Sequence, residues 1–192
     1  MKRFLAWMLA VMCMIGTAAA AELPAEFSFR NGITWGMEAQ GVLAAEGREE
    51  WDDRETLMNG VEVMMLEDAE VSLFEADLSY VFAESSLQMC LYELSLDEEE
   101  AGYLTGALQT KYGAGVHSHE MLYEMMCALV PDIYEEEDPF AGGLCWYLLD
   151  GTVIQFVGIK GSDAHVIAYM NYDALHEMLD RLEKDGYNLF GL

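Results

Sequence analysis

FSFRNGITWGMEAQGVLAAEG, residues 27–47, sets strand and helix signals side by side. Phe27, Phe29, Ile33 and Trp35 alternate with polar or small residues on either side of Asn31-Gly32. Alternation of this kind predicts half-buried strand, and Asn-Gly suits a turn with positive φ at both central positions. Gly36 breaks the extended run. A short helix is then expected, with Ala39, Val42 and Leu43 on one stripe, Glu38 at its positive end and Gly47 as a left-handed cap. Phe29 and Trp35 read as core anchors. Strand and helix signals within twenty residues point to a mixed fold, and the rest of the chain follows suit.

Working outward toward the N-terminus, residues 1–21 have the form of a secretory signal. Lys2-Arg3 is the basic start, Phe4 to Ile15 a continuous apolar run, and Thr17 to Ala21 the small residues of an A-x-A cleavage site. Cleavage after Ala20 and after Ala21 fit equally, and an uncleaved anchor is the alternative. Cys13 lies in the poor lipobox Ala10-Val-Met-Cys13. The expected route is export, with residues 22–192 as one α+β domain.

C-terminal to the opening, Arg48 to Gly60 (REEWDDRETLMNG) reads as a charged loop. Val61, Val63 and Met65 predict a strand, Glu67-Asp68 an acidic turn, Val71 to Phe82 a long second strand and Leu87 to Leu94 a third, after a turn at Glu84-Ser85-Ser86. Ser95 with Glu98 fits a capping box opening a helix from Leu96 to Tyr112, ended by Gly113 and Gly115. Ser118 is placed to cap a helix carrying Leu122, Met125, Met126 and Leu129, which Pro131 stops. Asp132 to Gly143 is an acidic loop. Leu144 to Leu149 and Thr152 to Ile159 form a hairpin on Asp150-Gly151, and His165 to Tyr172 a further strand. Asp173 caps a last helix with Leu175, Met178, Leu179 and Leu182 buried, Glu177–Arg181 and Asp180–Lys184 pairing outside, and Gly186 at its end; Leu189-Phe190 fold the tail back. The fold class is therefore α+β: two three-stranded antiparallel meanders with flanking helices. The order helix, three strands, helix occurs twice, in about 27–113 and 116–192, as a tandem pseudo-repeat.

The chain is 53% apolar and carries 35 acidic residues against nine basic ones, a net charge of −26. Loss of Lys2 and Arg3 with the leader leaves seven basic residues and a charge of −28. Such an excess speaks against nucleic acid, whose phosphates need Lys and Arg, and against anionic membrane surfaces. It favours protein or cationic-peptide partners and divalent ions.

The opening phrase F-x-F-R-N-G-I-x-W-G-M resembles that of small exported proteins of Gram-positive anaerobic bacteria, uncharacterised proteins that imply a source class and no activity. The twice-used helix and antiparallel sheet is similar in outline to the tandem modules of secreted β-lactamase-inhibitor proteins and, singly, to the outer-membrane assembly lipoprotein BamE. That resemblance implies a concave sheet surface that binds another protein; the inhibitors' two disulfides are not matched by spacing here.

Catalytic signatures are sparse. His117-Ser118-His119-Glu120 is the most metal-like group, yet it precedes a helix, where Ser and acids serve as caps, and has only His165 and His176 as distant helpers. Glu135-Glu136-Glu137-Asp138 and Asp97-Glu98-Glu99-Glu100 offer oxygen donors without the spacing of an EF-hand. Cys90, Cys127 and Cys145 lie in apolar runs and read as core residues; one disulfide among them is the alternative. The sequence has no G-x-S-x-G elbow, phosphate-cradling loop or dinucleotide fingerprint. Met64-Met65 and Met125-Met126 suit core stripes or an adaptable binding surface. No catalytic, cofactor or metal-binding residue is assigned. The expected function is a non-enzymatic binding protein for a protein or peptide; the alternatives are an acidic cation-binding surface protein and an unrecognised hydrolase.

Overall fold

The computed structural model describes residues 29–57, 61–129 and 138–184. The expected leader and cleavage site, Pro131, Glu135 to Glu137, Gly186 and the expected Leu189-Phe190 tail lie outside these residues. Among the described residues eight strands form one antiparallel sheet: β1 (Asp53–Thr56), β2 (Val61–Val71), β3 (Phe74–Ala83), β4 (Ser86–Ser95), β5 (Val116–His117), β6 (Phe140–Tyr147), β7 (Thr152–Ile159) and β8 (Ala164–Asn171). Their order is β1-β2-β3-β4-β8-β7-β6-β5. Four helices flank it: α1 (Ala39–Ala45), α2 (Glu98–Tyr112), α3 (Glu120–Leu129) and α4 (Tyr172–Lys184). The fold is α+β with an antiparallel sheet and flanking helices, as expected; the two expected meanders, β2-β3-β4 and β6-β7-β8, are joined through β4 and β8 and extended by β1 and β5 into one sheet.

Several local expectations are corrected. The alternation of Phe29 to Trp35 does not build strands. Asn31 (φ 57°) and Gly32 (φ 73°) make the left-handed turn, closed by Phe29 N–H donating to the Ile33 carbonyl at 3.1 Å, but no ladder follows. Ile33 and Phe29 go into the core, and the Trp35 indole N–H donates to the Thr152 hydroxyl at 2.9 Å. A strand also runs where a loop and a turn are expected. β1 pairs Asp53–Thr56 with Met65–Glu62, and β2 continues through Glu67-Asp68 as a bulge in which Asp68 takes φ 51°. The β2–β3 turn lies instead at Ser72-Leu73. α2 is capped by Asp97, not Ser95: its carboxylate accepts from Glu99 and Glu100 N–H at 2.9 Å, and Glu100 answers from the third position. α3 starts at Glu120, two residues past Ser118, whose N–H is taken by the Gly143 carbonyl. β6 begins at Phe140 inside the expected loop. On α4, Arg181 pairs with Glu84 of the β3–β4 turn and keeps only a main-chain bond to Glu177, whose carbonyl accepts its Nε–H at 3.3 Å, and Asp180 lies 3.6 Å from His176.

The registers place Leu66, Leu78, Tyr92, Ile167, Phe156 and Leu144 in one row on one sheet face, and Met65, Ser79, Leu91, Ala168, Gln155 and Cys145 in one row on the other. We call these the first and second faces. The first is covered over β2 to β4 and β6 to β8, though not at the short outer strands β1 and β5: Val42 and Leu43 of α1, Leu108 and Tyr112 of α2, and Phe29 and Ile33 form one core with it. α3 and α4 cover the second face with Leu122, Met125, Leu175 and Met178 over β6, β7 and β8 and the base of β2, β3 and β4. A two-fold rotation exchanging antiparallel β4 and β8 would keep each face on its own side. The two halves put their helices on opposite faces, so they repeat in element order without being rotated copies.

Candidate functional site

Coverage of the second face stops part-way. Along the row Met65–Ser79–Leu91–Ala168–Gln155, the last two are fully buried under α3 while Met65, Ser79 and Leu91 are only half-buried. Along the next row, Val157 is buried, Val166 half-buried, and Asp77 and Glu93 exposed. The open quadrant runs into a groove of about 310 Å³ beside α3, whose walls include Leu91 and Val166 of the sheet, Leu122 and Met126 of the helix, and Phe140 and Ile159 at the far side. Glu93 and Ala164 line its end and also border a second hollow of about 190 Å³ with Asp68, Glu75 and Asp77. An apolar trough thus opens onto an acidic rim.

The groove's helix wall is held by one buried polar side chain. Gln155, fully buried, accepts from the Leu122 N–H at 2.6 Å and donates to the Ser118 carbonyl at 3.3 Å, satisfying groups at the N-terminal end of α3. Its far wall is tied by Asp138, whose carboxylate receives the Phe140 N–H at 2.8 Å and lies 2.6 Å from His119 Nε2. Lys160 donates to the Asp138 carbonyl at 2.7 Å. Partial burial raises the Asp138 pKa, but the Phe140 amide, His119 and Lys160 outweigh it and hold the carboxyl below its ordinary value. A carboxyl whose folded pKa lies below its unfolded value of about 3.9 contributes stability present above roughly pH 4 and lost as pH falls through the folded value. Asp138→Asn is therefore expected to lower the neutral region of a denaturant-midpoint-versus-pH curve while leaving its most acidic points nearly unchanged, which flattens the acid limb. An unaltered acid limb would remove Asp138 from that role.

The residues singled out in the sequence do not converge. His117 is exposed on β5, His119 holds Asp138, His165 stacks on Phe156 with ring centroids 5.5 Å apart, and His176 faces Asp180. Among the described residues no group of three or more His, Cys, Asp or Glu is arranged to hold a metal ion. Asp97 to Glu100 form the α2 cap described above. Cys90 is buried on the first face and Cys145 on the second, so the sheet separates them, and Cys127 lies on α3; all three are free thiols. Burial pushes the Cys90 and Cys145 thiols up, which removes the thiolate a nucleophile needs. Of the methionine pairs, Met64 and Met125 are core residues, whereas Met126 lines the groove. The first face carries a second polar cluster. The Glu46 side chain, 2% exposed, receives the Tyr80 hydroxyl at 2.6 Å and the Asn31 amide at 3.1 Å, and pairs with Arg30 at 3.0 Å. Burial first, then Cys90 and the bond to Glu46, push the Tyr80 pKa up and keep it a donor.

Leu91, Glu93, Asp77 and Val166 escape a reading by motif because each is ordinary in its strand. The available signal is in β4, where Met89, Leu91 and Glu93 share a face: the change from apolar to acidic marks where cover ends. Among the described residues no helix is long and apolar enough to cross a membrane. No protein-family model, no curated protein and no solved structure matches this chain.

Proposed function

We propose that this chain is an exported, non-enzymatic binding protein that takes another protein or a peptide on the open quadrant of its second sheet face. The observation that carries this reading is the groove of Leu91, Val166, Met126 and Phe140, an apolar trough continuous with an uncovered sheet surface. Sites that bind other molecules are concave and mostly apolar with a few placed polar groups, and this trough has that composition. The described histidines stand apart and the buried cysteines are protonated, an arrangement better suited to binding than to hydrolysis. The export leader gives the setting.

The test uses a photo-crosslinking residue at Ser79, on the open quadrant, and a control at Glu99 on α2. In spent medium of the producing bacterium, the Ser79 probe is expected to give a discrete protein adduct that the Glu99 probe does not give and that Leu91→Lys removes. Equal adducts at the two positions, or none at Ser79, would overturn the reading.

A further inference from the structure

We infer that the occupant of this groove is an extended peptide segment presenting an apolar side chain and, two residues on along the same face, a lysine or arginine. The inference rests on the binding reading above and specifies its partner. Its starting point is a conflict inside the sheet. Asp77 and Glu93 are direct cross-strand partners on β3 and β4, both exposed on the second face, and like charges so placed repel. Asp68 and Glu75 border the same hollow, and Asp77 is already used to accept the Asp68 N–H at 3.1 Å.

Among the described residues no lysine or arginine pairs with them, Lys184 on α4 included. Arg30 pairs with Glu46, Arg48 with Asp52, Arg54 with Glu62 and Arg181 with Glu84. Lys160 is bound to the Asp138 carbonyl and Lys111 sits over the Tyr112 ring at 4.8 Å. Among the described residues neither Asp77 nor Glu93 has an ion-pair partner. A chain with this acidic excess leaves its rim to be neutralised from outside.

The spacing sets the partner's form. Leu91 and Glu93 lie two residues apart on one face of β4, about 6.6 Å along the strand. A segment laid along the quadrant in extended form repeats its side chains at the same interval. An apolar group over Leu91 then places the cation two residues on at the level of Val166, between Asp77 and Glu93. A second copy of this chain is a poor occupant, because it would bring a further acidic surface against the rim.

The probe is a labelled synthetic peptide, Ser-Leu-Ser-Lys-Ser-Leu-Ser-Lys, read by fluorescence polarisation at about 0.15 M salt, where exposed charges beyond about 8 Å are screened. Saturable one-to-one binding is expected. Changing its lysines to glutamine, or making Asp77→Asn/Glu93→Gln in the protein, should each weaken binding about tenfold, and the two changes together no further. Glu98→Gln/Glu99→Gln on α2 should change it less than twofold. The Asp77→Asn/Glu93→Gln protein should melt no lower than wild type, which separates lost binding from lost folding.

If the glutamine peptide binds as tightly as the lysine peptide and Leu91→Lys still abolishes binding, the cationic requirement is overturned and the binding-protein reading stands. If the α2 pair weakens binding as much as the rim pair, bulk charge alone is acting and the inference fails. If no peptide binds while the Ser79 crosslink persists, the partner class is wrong and the site is right. A free dimer that Leu91→Lys breaks into monomers would make the occupant a second copy.

Discussion

Replacing Gln155 by leucine should destabilise the protein by about 2–4 kcal/mol, although the two side chains are close in volume. The buried amide serves two backbone groups at once, the Leu122 N–H and the Ser118 carbonyl. Leucine fills the space and satisfies neither, and each buried group left without a partner costs about 1–3 kcal/mol. In a domain of this size that corresponds to a fall in melting temperature of roughly 4–16 °C. The amide of Leu122 should also exchange with solvent faster than in wild type. A variant within about 1 kcal/mol of wild type by denaturant titration, with Leu122 still protected, would show that water or a shifted helix replaces these bonds. The groove depends on the outcome, since Leu122 is part of its wall.

Arg30→Met should cost about 2–4 kcal/mol at neutral pH, and adding Glu46→Leu and Tyr80→Phe should recover most of that loss. Removing one partner of a buried ion pair strands the other charge, whereas replacing the whole cluster by apolar groups removes the desolvation cost as well. Glu46 is the stranded group here, with its side chain 2% exposed and only the Tyr80 and Asn31 bonds remaining. Arg30 also donates to the Glu70 carbonyl at 2.7 Å, but that bond is lost in both variants and cancels in their difference. The measurement is the denaturation free energy of the single and triple variants side by side. A triple variant less stable than Arg30→Met would mean that the cluster stabilises the first face by more than its own desolvation.

Local chemistry made the meanders and two helix C-termini legible, whereas the N-caps expected at Ser95, Ser118 and Asp173 lie elsewhere, α4 already starting at Tyr172. Asp150-Gly151 gives its hairpin because Gly151 takes φ 83° without a side-chain clash, and Glu84-Ser85 makes the other tight turn with φ 51° and 64°. Gly47 and Gly113 end helices where a positive φ is needed. What stayed hidden is tertiary. β5 has two residues and β1 four exposed ones, too short and too polar for a periodic signal. Asp68 passes for a turn residue because a bulge asks for the same left-handed backbone. The Phe29 to Trp35 alternation failed as strand because its aromatics are drawn to Tyr169 and Thr152 of the second half, which no local pattern encodes. The site failed to show for a related reason: a half-buried Leu91 differs from a buried one only in what α3 does not reach.

The pairing of β4 with β8 sets a timetable for folding. Seven residues of β4, Met89 to Ser95, find their partners in Met170 to Ala164, some 70–80 residues further on. Until β8 arrives, the first half presents a long edge with Met89, Leu91 and Tyr92 along it and no ladder to satisfy its amides and carbonyls. Edges of that kind are templates for pairing with other chains, and contacts so distant in sequence form slowly. A chain cut short before residue 164 would keep that edge permanently, so truncation is expected to end in aggregates rather than in a smaller folded protein.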